Sequence, residues 1–327
     1  MKNLIVATVL LLIATSTARA QGVFSLGKVN TAANADVLQN PNVEGISVRI
    51  AWSKLEPKKN VFNWTLVDSE VARAEAVNKQ VFLRILVQGS SIPQWVWNQG
   101  VDWVSTSEGY VAVYWDSKYL SYRYAMIAAL GQHLGSNPVV HMVSPICTSS
   151  GSGDWYIPST PDDVNAWVAA GWEQHFDQTI AACASTISAW AAAFPQALMV
   201  LPIGKGLPID PTVMTLPDAV VSSAREAYGP RFIIEKNNLQ VATPVPAEAT
   251  DDWVLIRDNP PAALQTLWYS YGDATCENNN YVTPCDPTTV LDTLIDRGHS
   301  YGATMIELYE VDVVNLPAVV AYAAAMF

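Results

Sequence analysis

Two acidic residues occupy positions where a carboxyl group could take part in catalysis. Asp154 lies in the segment GSGDWYIP, after an apolar run and directly before two aromatic residues, and Glu307 interrupts the apolar run MIELY. A carboxyl group donates a proton when it is protonated, and acts as a base or nucleophile when it is ionised. Each acid also has a structural interpretation. Asp154 could cap a turn, and Glu307 could form an ion pair with Arg49 or Arg84, because a buried carboxylate needs a partner.

Short apolar runs alternate with helical patterns along the whole chain. The predicted strands are Phe24–Val29, Gly45–Trp52, Gln80–Gln88, Val139–Ile146, Ala197–Ile203, Arg231–Asn237, Leu264–Tyr271 and Ala303–Tyr309. The predicted helices are Ala33–Gln39, Thr65–Val77, Tyr119–Gly135, Pro161–Phe194, Leu216–Tyr228, Ala247–Asp258, Pro287–Tyr301 and Leu316–Met326. Eight such repeats predict an α/β fold, a (β/α)8 TIM barrel in one domain. An open doubly wound sheet is the competing architecture, but no Gly-rich phosphate loop follows the first strand.

The alternation of residues along the strands predicts which side chains face the barrel lumen. In strand two, Ser47 and Arg49 face inward when the aliphatic residues between them face the helices, and in strand eight Glu307 and Tyr309 do so. Strand six is ambiguous, because the opposite orientation of Glu235 is also compatible with its pattern.

Ligands of such barrels bind at the carboxyl ends of the strands. The residues at these ends that we predict to contact a ligand are Arg49, Trp52, Arg84, Gln88, Trp95, Trp155, Asn237, Tyr269 and Tyr309. Tryptophans within the helices, among them Trp167, Trp172, Trp190 and Trp253, are predicted to be core residues.

The first twenty residues have the features of a secretory signal peptide. Lys2 precedes an apolar stretch, and Ala18-Arg19-Ala20 is typical of a cleavage site before Gln21. We therefore predict a secreted or periplasmic protein in which residues 21–327 form the barrel. Without Lys2 and Arg19, 16 basic residues oppose 30 acidic ones, giving a formal charge of −14. Such a surface disfavours nucleic acid and anionic membranes as partners.

Four cysteines in an exported protein favour disulfide bonds over metal binding. Cys276 and Cys285 flank a short polar segment, and we predict that they pair. Cys147 and Cys183 either pair or remain as buried thiols. Neither set has metal-ligand spacing and the four histidines do not cluster, so we predict no metal and no cofactor.

Three segments resemble glycoside hydrolases of the clan-A barrel type, particularly the β-galactosidase-like members. The segment VRIAWSKLEPKKNVFNW (Val48 to Trp64) resembles the end of their second strand, and VFLRILVQGSSIPQWV (Val81 to Val96) resembles their third. The segment MIELYEVD near the carboxyl terminus is similar to the last strand of relatives. The resemblance implies a barrel, a carbohydrate substrate and two carboxyl groups that cleave a glycosidic bond.

The resemblance also implies positions for the two carboxyl groups, at the ends of strands four and seven. Asp154 occupies the first position, where many relatives have Glu, and we predict it to be the general acid, with Trp155 and Tyr156 packed over it. Strand seven contains no glutamate. Glu307 is therefore the predicted second carboxylate or its electrostatic support, with Asp273 and Glu235 as alternatives.

The predicted function is hydrolysis or transglycosylation of a neutral oligo- or polysaccharide. The alternative is a barrel that binds carbohydrate but has lost catalysis, because strand seven lacks the expected glutamate. A secreted interaction protein that uses the barrel as a scaffold is a third possibility, and it predicts that the aromatic residues are buried and leave no cleft.

Overall fold

The computed structural model describes residues 20–150, 154–158, 160–171, 176–204, 208–210, 214–250, 252–273, 276 and 285–327. Eight parallel strands form a closed barrel in the order β1-β8-β7-β6-β5-β4-β3-β2. The strands are β1 (Gly22–Leu26), β2 (Gly45–Ala51), β3 (Gln80–Leu86), β4 (Val140–Val143), β5 (Leu198–Pro202), β6 (Phe232–Leu239), β7 (Ala262–Thr266) and β8 (Ala303–Tyr309). The predicted (β/α)8 barrel is confirmed.

Helices connect the strands and cover the outside of the barrel. They are α1 (Ala35–Gln39), α2 (Trp52–Leu55), α3 (Thr65–Glu75), α4 (Gln94–Trp97), α5 (Ser117–Leu134), α6 (Pro161–Ala169), α7 (Phe176–Ala193), α8 (Leu216–Tyr228), α9 (Asp252–Asp258), α10 (Pro287–Ser300), α11 (Glu310–Asn315) and α12 (Pro317–Met326). Side-chain caps begin several of them. Thr215 and Asp218, for example, form a capping box at the start of α8.

The lumen of the barrel is filled by a layer of apolar side chains below its carboxyl-terminal end. This layer comprises Ala20, Phe24, Phe82, Met142, Leu198, Val200, Ile233, Ala263 and Met305. Ile233 and Met305 point inward, so by alternation Glu235 and Glu307 do as well. The inward orientation predicted for Ser47 and Glu307 is confirmed, and the ambiguity in β6 is resolved with Glu235 inside.

Among the predicted elements whose bounds differ from the structure, two lie close to the site. Strand seven was expected at Leu264–Tyr271, but β7 is Ala262–Thr266 and residues 267–271 form a loop. Trp268 and Tyr269 of that loop have high strand propensity, yet they line a cleft instead of extending the sheet. The helical segment predicted over Pro161–Phe194, whose length allows for a break, consists of two helices, because α6 ends at Ala169 and α7 begins at Phe176.

Some elements have no counterpart in the sequence-based assignment. An antiparallel hairpin formed by Trp103–Thr106 and Gly109–Ala112 follows β3, and a second pair of short strands is Pro208–Asp210 with Met214–Thr215. These strands are shorter than the periodic patterns used for prediction, so their signal is weak.

Disulfide bonds join Cys147 to Cys183 and Cys276 to Cys285. The first joins the segment that follows β4 to α7, and the second confirms the predicted pair. Among the described residues, no helix combines the length and apolarity needed to cross a bilayer. The predicted signal peptide falls almost entirely on residues 1–19, which lie outside the described residues, as does Trp172.

Candidate active site at the carboxyl end of the barrel

Arg84 of β3 is the centre of a charged cluster inside the lumen. Its Nη2 atom lies 2.5 Å from Glu235 Oε1 and also bonds to Glu307 Oε2. The other oxygen of Glu307 accepts a hydrogen bond from the hydroxyl of Ser47. Arg84 and both glutamates have no solvent-exposed side-chain surface. We call Arg84, Glu235 and Glu307 the lumen cluster.

The two glutamates of the lumen cluster share one side of a single guanidinium group. Burial raises the pKa of Glu235 well above its usual range, and although Arg84 opposes this change, the adjacent carboxylate of Glu307 reinforces it. Burial alone would lower the pKa of Arg84, but the surrounding carboxylates raise it above its ordinary value. Of the charged groups in the cluster, Glu235 is thus the one whose burial favours its neutral form, and the carboxyl groups around Arg84 favour its charged form.

Asp154 lies directly above the lumen cluster. Its Oδ2 is 3.5 Å from Arg84 Nη1 and accepts a hydrogen bond from Asn237 Nδ2 at 3.4 Å, while its Oδ1 accepts one from Gln88 Nε2 at 3.0 Å. These three donors form the environment of an ionised carboxylate. The role of Asp154 as general acid stays a prediction, and three donors around a carboxyl group also suit a base or nucleophile.

The two aromatic residues that follow Asp154 each contact other parts of the protein. Tyr156 lies beside Asp163 and Thr106, and burial raises the pKa of its phenol to about 12. Trp155 packs against Gly204, where an added Cβ atom would lie 2.8 Å from the indole ring. Polar donors, and not aromatic rings, therefore make the described hydrogen bonds to the Asp154 carboxylate.

A cleft of about 1050 Å³ opens above Asp154. Of the residues predicted from sequence, Arg49, Gln88, Asp154, Asn237, Tyr269 and Tyr309 line it. The Nε atom of Arg49 and the Oδ1 atom of Asn237 have no hydrogen-bond partner among the described residues. These two atoms are themselves buried, whereas the Arg49 and Asn237 side chains line the cleft with other atoms.

One wall of the cleft is aromatic. Trp268 packs against Tyr269 and Tyr309, with ring centroids 5.2 and 5.8 Å apart. Asp312 holds the loop that carries these rings, because its carboxylate accepts hydrogen bonds from the backbone N–H groups of Ser270 and Tyr271. Burial raises the pKa of Asp312 to about 6.

Four predicted contact residues lie outside the cleft lining, namely Trp52, Arg84, Trp95 and Trp155. Trp52 is completely buried, packs edge-on against Trp95, and donates its indole N–H to Glu56. Trp95 in turn donates to the backbone oxygen of Glu56. Arg84, likewise, is covered by Asp154 and lies beneath the cleft. Trp52 and Trp95 therefore hold the loop after β2 through Glu56. Their position at strand ends did not place them in the cleft, because the residues after a strand can also pack into the core.

Several cleft residues did not emerge as predicted contacts. Gln265 of β7 pairs in register with Glu307 and lines the cleft, and Trp268 and Glu310 line it as well. Glu310 Oε2 accepts the backbone N–H of Asn34 at 2.8 Å. Gln265 and Trp268 both fall inside the predicted strand Leu264–Tyr271, and not at its end, so they were not recognised as cleft residues. The position of Glu310 directly after β8 was the available signal for the third.

Asp154 and Glu307 both contact Arg84, but only Asp154 lines the cleft. Both contact the same planar guanidinium group, so the bonded oxygens can be no more than roughly 8 Å apart. Carboxyl pairs that hydrolyse glycosidic bonds are separated by about 5 to 9.5 Å. The spacing is therefore compatible with hydrolysis, although Glu307 itself is closed off from the cleft.

The closed barrel with a cleft at its carboxyl end defines the class of fold, a (β/α)8 barrel. More particularly, residues 28–144 match the family model of the family 42 glycoside hydrolases, described as β-galactosidase. This match includes the two segments after β2 and β3 that carry the sequence resemblance, and it confirms the resemblance there. No curated protein matches the chain.

Solved glycosidase structures share the fold at low sequence identity. The β-galactosidase of the psychrophilic Marinomonas ef1 superposes with a TM-score of 0.59 at 10% identity, over 88% of this chain and 53% of that one. The catalytic domain of β-amylase from Paenibacillus polymyxa gives 0.58 at 10% identity, over 93% and 95%. Xylanase 10B of Thermotoga petrophila RKU-1, in complex with xylobiose, gives 0.52 at 11%, over 89% and 82%. The chain thus spans about half the length of the β-galactosidase.

Proposed function

We propose that the protein is a glycosidase, a hydrolase or transglycosylase that cleaves a glycosidic bond of a neutral oligo- or polysaccharide. Asp154 carries the proposal, because an ionised carboxylate with three donors lies at the base of a large cleft with an aromatic wall. Aromatic rings with a few convergent polar groups suit sugar rings, which have apolar faces and hydroxyl edges. The fold relatives named above are enzymes of carbohydrates, which supports the same substrate class.

In the proposed reaction, Asp154 is the ionised carboxylate that attacks the anomeric carbon or activates water. Arg84 keeps it anionic, and Glu307 acts through Arg84 as electrostatic support. Glu310 is the other acid that lines the cleft, and we assign it the role of proton donor to the leaving oxygen. Arg49, Gln88 and Asn237 hold substrate hydroxyls.

The test is hydrolysis of 4-nitrophenyl glycosides and of soluble neutral polysaccharides by purified protein. We expect the wild type to cleave at least one of them and Asp154→Asn to be slower by about a thousandfold or more. Asp258→Asn, a change at an exposed acid remote from the cleft lining, is the matched control and keeps full activity. An Asp154→Asn variant as active as the wild type contradicts the assignment.

Binding without cleavage is the second candidate function. It is favoured by the burial of Glu307 and Glu235 and by Gln265, a neutral side chain, at the position on β7 that faces Glu307. In this case the wild type binds a polysaccharide but releases no reducing ends. A Glu310→Gln variant separates the two functions, because it lowers turnover in the glycosidase and leaves a simple binding protein unchanged.

We propose export as well. The predicted signal peptide leads the chain to an oxidising compartment, and the two disulfide bonds are typical of such proteins. Amino-terminal sequencing of protein recovered from outside the cytoplasm should give Gln21 as the first residue. A mature chain that retains Met1 contradicts cleavage.

A further inference from the structure

A second groove lies beside the cleft, at the hairpin that follows β3. In this hairpin Val104 and Val111 face inward and are buried, whereas Trp103 and Tyr110 face outward. The outward rings are 52% and 61% exposed and pack edge-to-face with centroids 4.7 Å apart. Contiguous exposed apolar surface of this kind is a feature of interaction sites and ligand-binding grooves.

The groove has a volume of about 730 Å³. Trp97 of α4 lines it together with the two hairpin rings, and we call Trp97, Trp103 and Tyr110 the aromatic platform. Ser90 and Gln94 supply neutral polar groups beside the rings. The described lining includes one acid, Glu108, and no lysine or arginine.

The platform is joined to the cleft by the backbone at the end of β3. Gln88 donates a hydrogen bond to Asp154, and the next residues, Gly89 and Ser90, line the groove. The hairpin packs closely on this segment, since a Cβ atom at Gly89 would lie 2.2 Å from the carbonyl oxygen of Tyr110. The residue that follows Gln88 in the chain therefore already belongs to the lining of the groove.

We propose that the aromatic platform binds a neutral glycan chain whose other end occupies the cleft. This inference rests on the proposed function and extends it, because it makes the substrate a chain and not a disaccharide. The rings match the apolar faces of pyranose units, and Ser90 and Gln94 can bond to hydroxyl groups. The single acid and the acidic surface of the protein disfavour anionic glycans.

A purely structural role for the rings makes a different prediction. A cross-strand aromatic pair stabilises a hairpin by about 0.5 to 1.5 kcal/mol, and this contribution is present without any ligand. If the rings only stabilise the hairpin, their removal lowers stability and leaves glycan binding intact. Binding and stability must therefore be measured separately.

The experiment is affinity electrophoresis of the full-length protein in gels that contain soluble starch, xylan or galactan. We expect at least one polysaccharide to retard the wild type, and the double variant Trp103→Ala/Tyr110→Ala to bind it about tenfold more weakly. Trp103→Phe/Tyr110→Phe keeps both rings and should retain binding within about threefold. Tyr322→Ala removes a ring of lower exposure on α12 and is the matched control.

Hydrolysis of a short aryl glycoside is measured on the same variants. It should remain unchanged in the double alanine variant, because the cleft is intact, so failure of the platform and failure of the glycosidase assignment are distinguishable. Equal retardation of wild type and double alanine variant overturns the proposal, as does a wild type that none of the three polysaccharides retards. If the double variant does not fold, the retardation of the single variant Tyr110→Ala is compared with that of the wild type instead, and equal retardation again overturns the proposal.

Discussion

The lumen cluster and the cleft above it use the same side-chain types in opposite ways. In the lumen, Glu235 and Glu307 are fully buried and bond to Arg84. In the cleft, Asp154 receives its donors from amide side chains and from the upper edge of the same guanidinium group, and it borders open space. The guanidinium group of Arg84 thus belongs to both regions, because its Nη2 atom contacts the two buried glutamates and its Nη1 atom contacts Asp154.

This difference separates residues that touch substrate from residues that act through others. A closed carboxylate cannot reach a sugar, but it influences the charge of the group above it through Arg84. We therefore expect changes in the lumen cluster to affect stability strongly, and changes in the cleft lining to affect substrate binding or turnover with little effect on stability. The variants below test this separation, from the largest expected effect to the smallest.

Arg84→Met should have the largest effect on stability. It leaves Asp154 and Glu307 without their cation, and breaking such a buried pair costs about 3 to 5 kcal/mol of unfolding free energy. Arg49→Met, a cleft arginine, is the matched control and should cost about 1 kcal/mol or less, while weakening substrate binding. Denaturant unfolding of both variants measures the difference. Equal losses would show that the two regions are not energetically distinct.

Glu307→Gln and Glu235→Gln should differ although both residues contact Arg84. Glu307→Gln replaces a carboxyl group that bonds to both Arg84 and Ser47 with an amide that has only one acceptor oxygen, and we expect a loss of about 2 to 3 kcal/mol. Burial raises the pKa of Glu235, so at acidic pH the neutral amide should replace it at a cost of about 1 kcal/mol or less. A larger loss of stability in Glu235→Gln than in Glu307→Gln would contradict the raised pKa of Glu235.

The pH dependence of the unfolding free energy tests the raised pKa of Glu235. The pKa of Glu235 is raised in the folded protein, so its contribution is fully present below the ordinary glutamate pKa and is lost as pH rises through the folded value. The wild type should therefore lose stability relative to Glu235→Gln between pH 5 and pH 8. Unfolding free energies of both proteins at the two values provide the measurement, and a constant difference would refute the raised pKa.

Trp268→Ala should have the smallest effect on stability of these changes. Its ring is 40% exposed and lines the cleft, so its loss should raise KM roughly five- to tenfold and lower the unfolding free energy by about 1 kcal/mol or less. Tyr271→Ala, a neighbouring ring of similar exposure outside the described cleft lining, is the matched control. A larger KM effect from Tyr271→Ala would relocate the sugar-binding wall.

The sequence predicts the barrel well because each buried strand has its own apolar run. All eight predicted strands overlap β1 to β8, and the predicted bounds of α8 agree with the structure. The end of β7 was misplaced because Trp268 to Tyr271 have strand propensity and their loop conformation depends on a tertiary contact, the carboxylate of Asp312. The hairpin after β3 was missed because its strands are too short for periodicity to indicate them.

The site was predictable where a side chain follows from strand alternation. Arg49 and Tyr309 follow from alternation in this way and line the cleft, whereas alternation leaves the orientation of Asn237 on strand six open. Depth within the lumen was not predictable, because alternation gives the direction of Glu307 but not whether Arg84 and Asp154 cover it. For the same reason Trp52 was assigned to the ligand although it is part of the core.

Rescue of an Asp154→Gly variant by formate tests the central claim most directly. If the Asp154 carboxylate acts on the glycosidic bond, the variant loses activity on the substrate that the wild type cleaves, and added formate restores part of it by occupying the vacated space as a carboxylate. Glu307→Gln, whose carboxylate is closed off from the cleft, should show no such rescue. A folded Asp154→Gly variant that remains as active as the wild type, or that formate does not reactivate, would contradict the account.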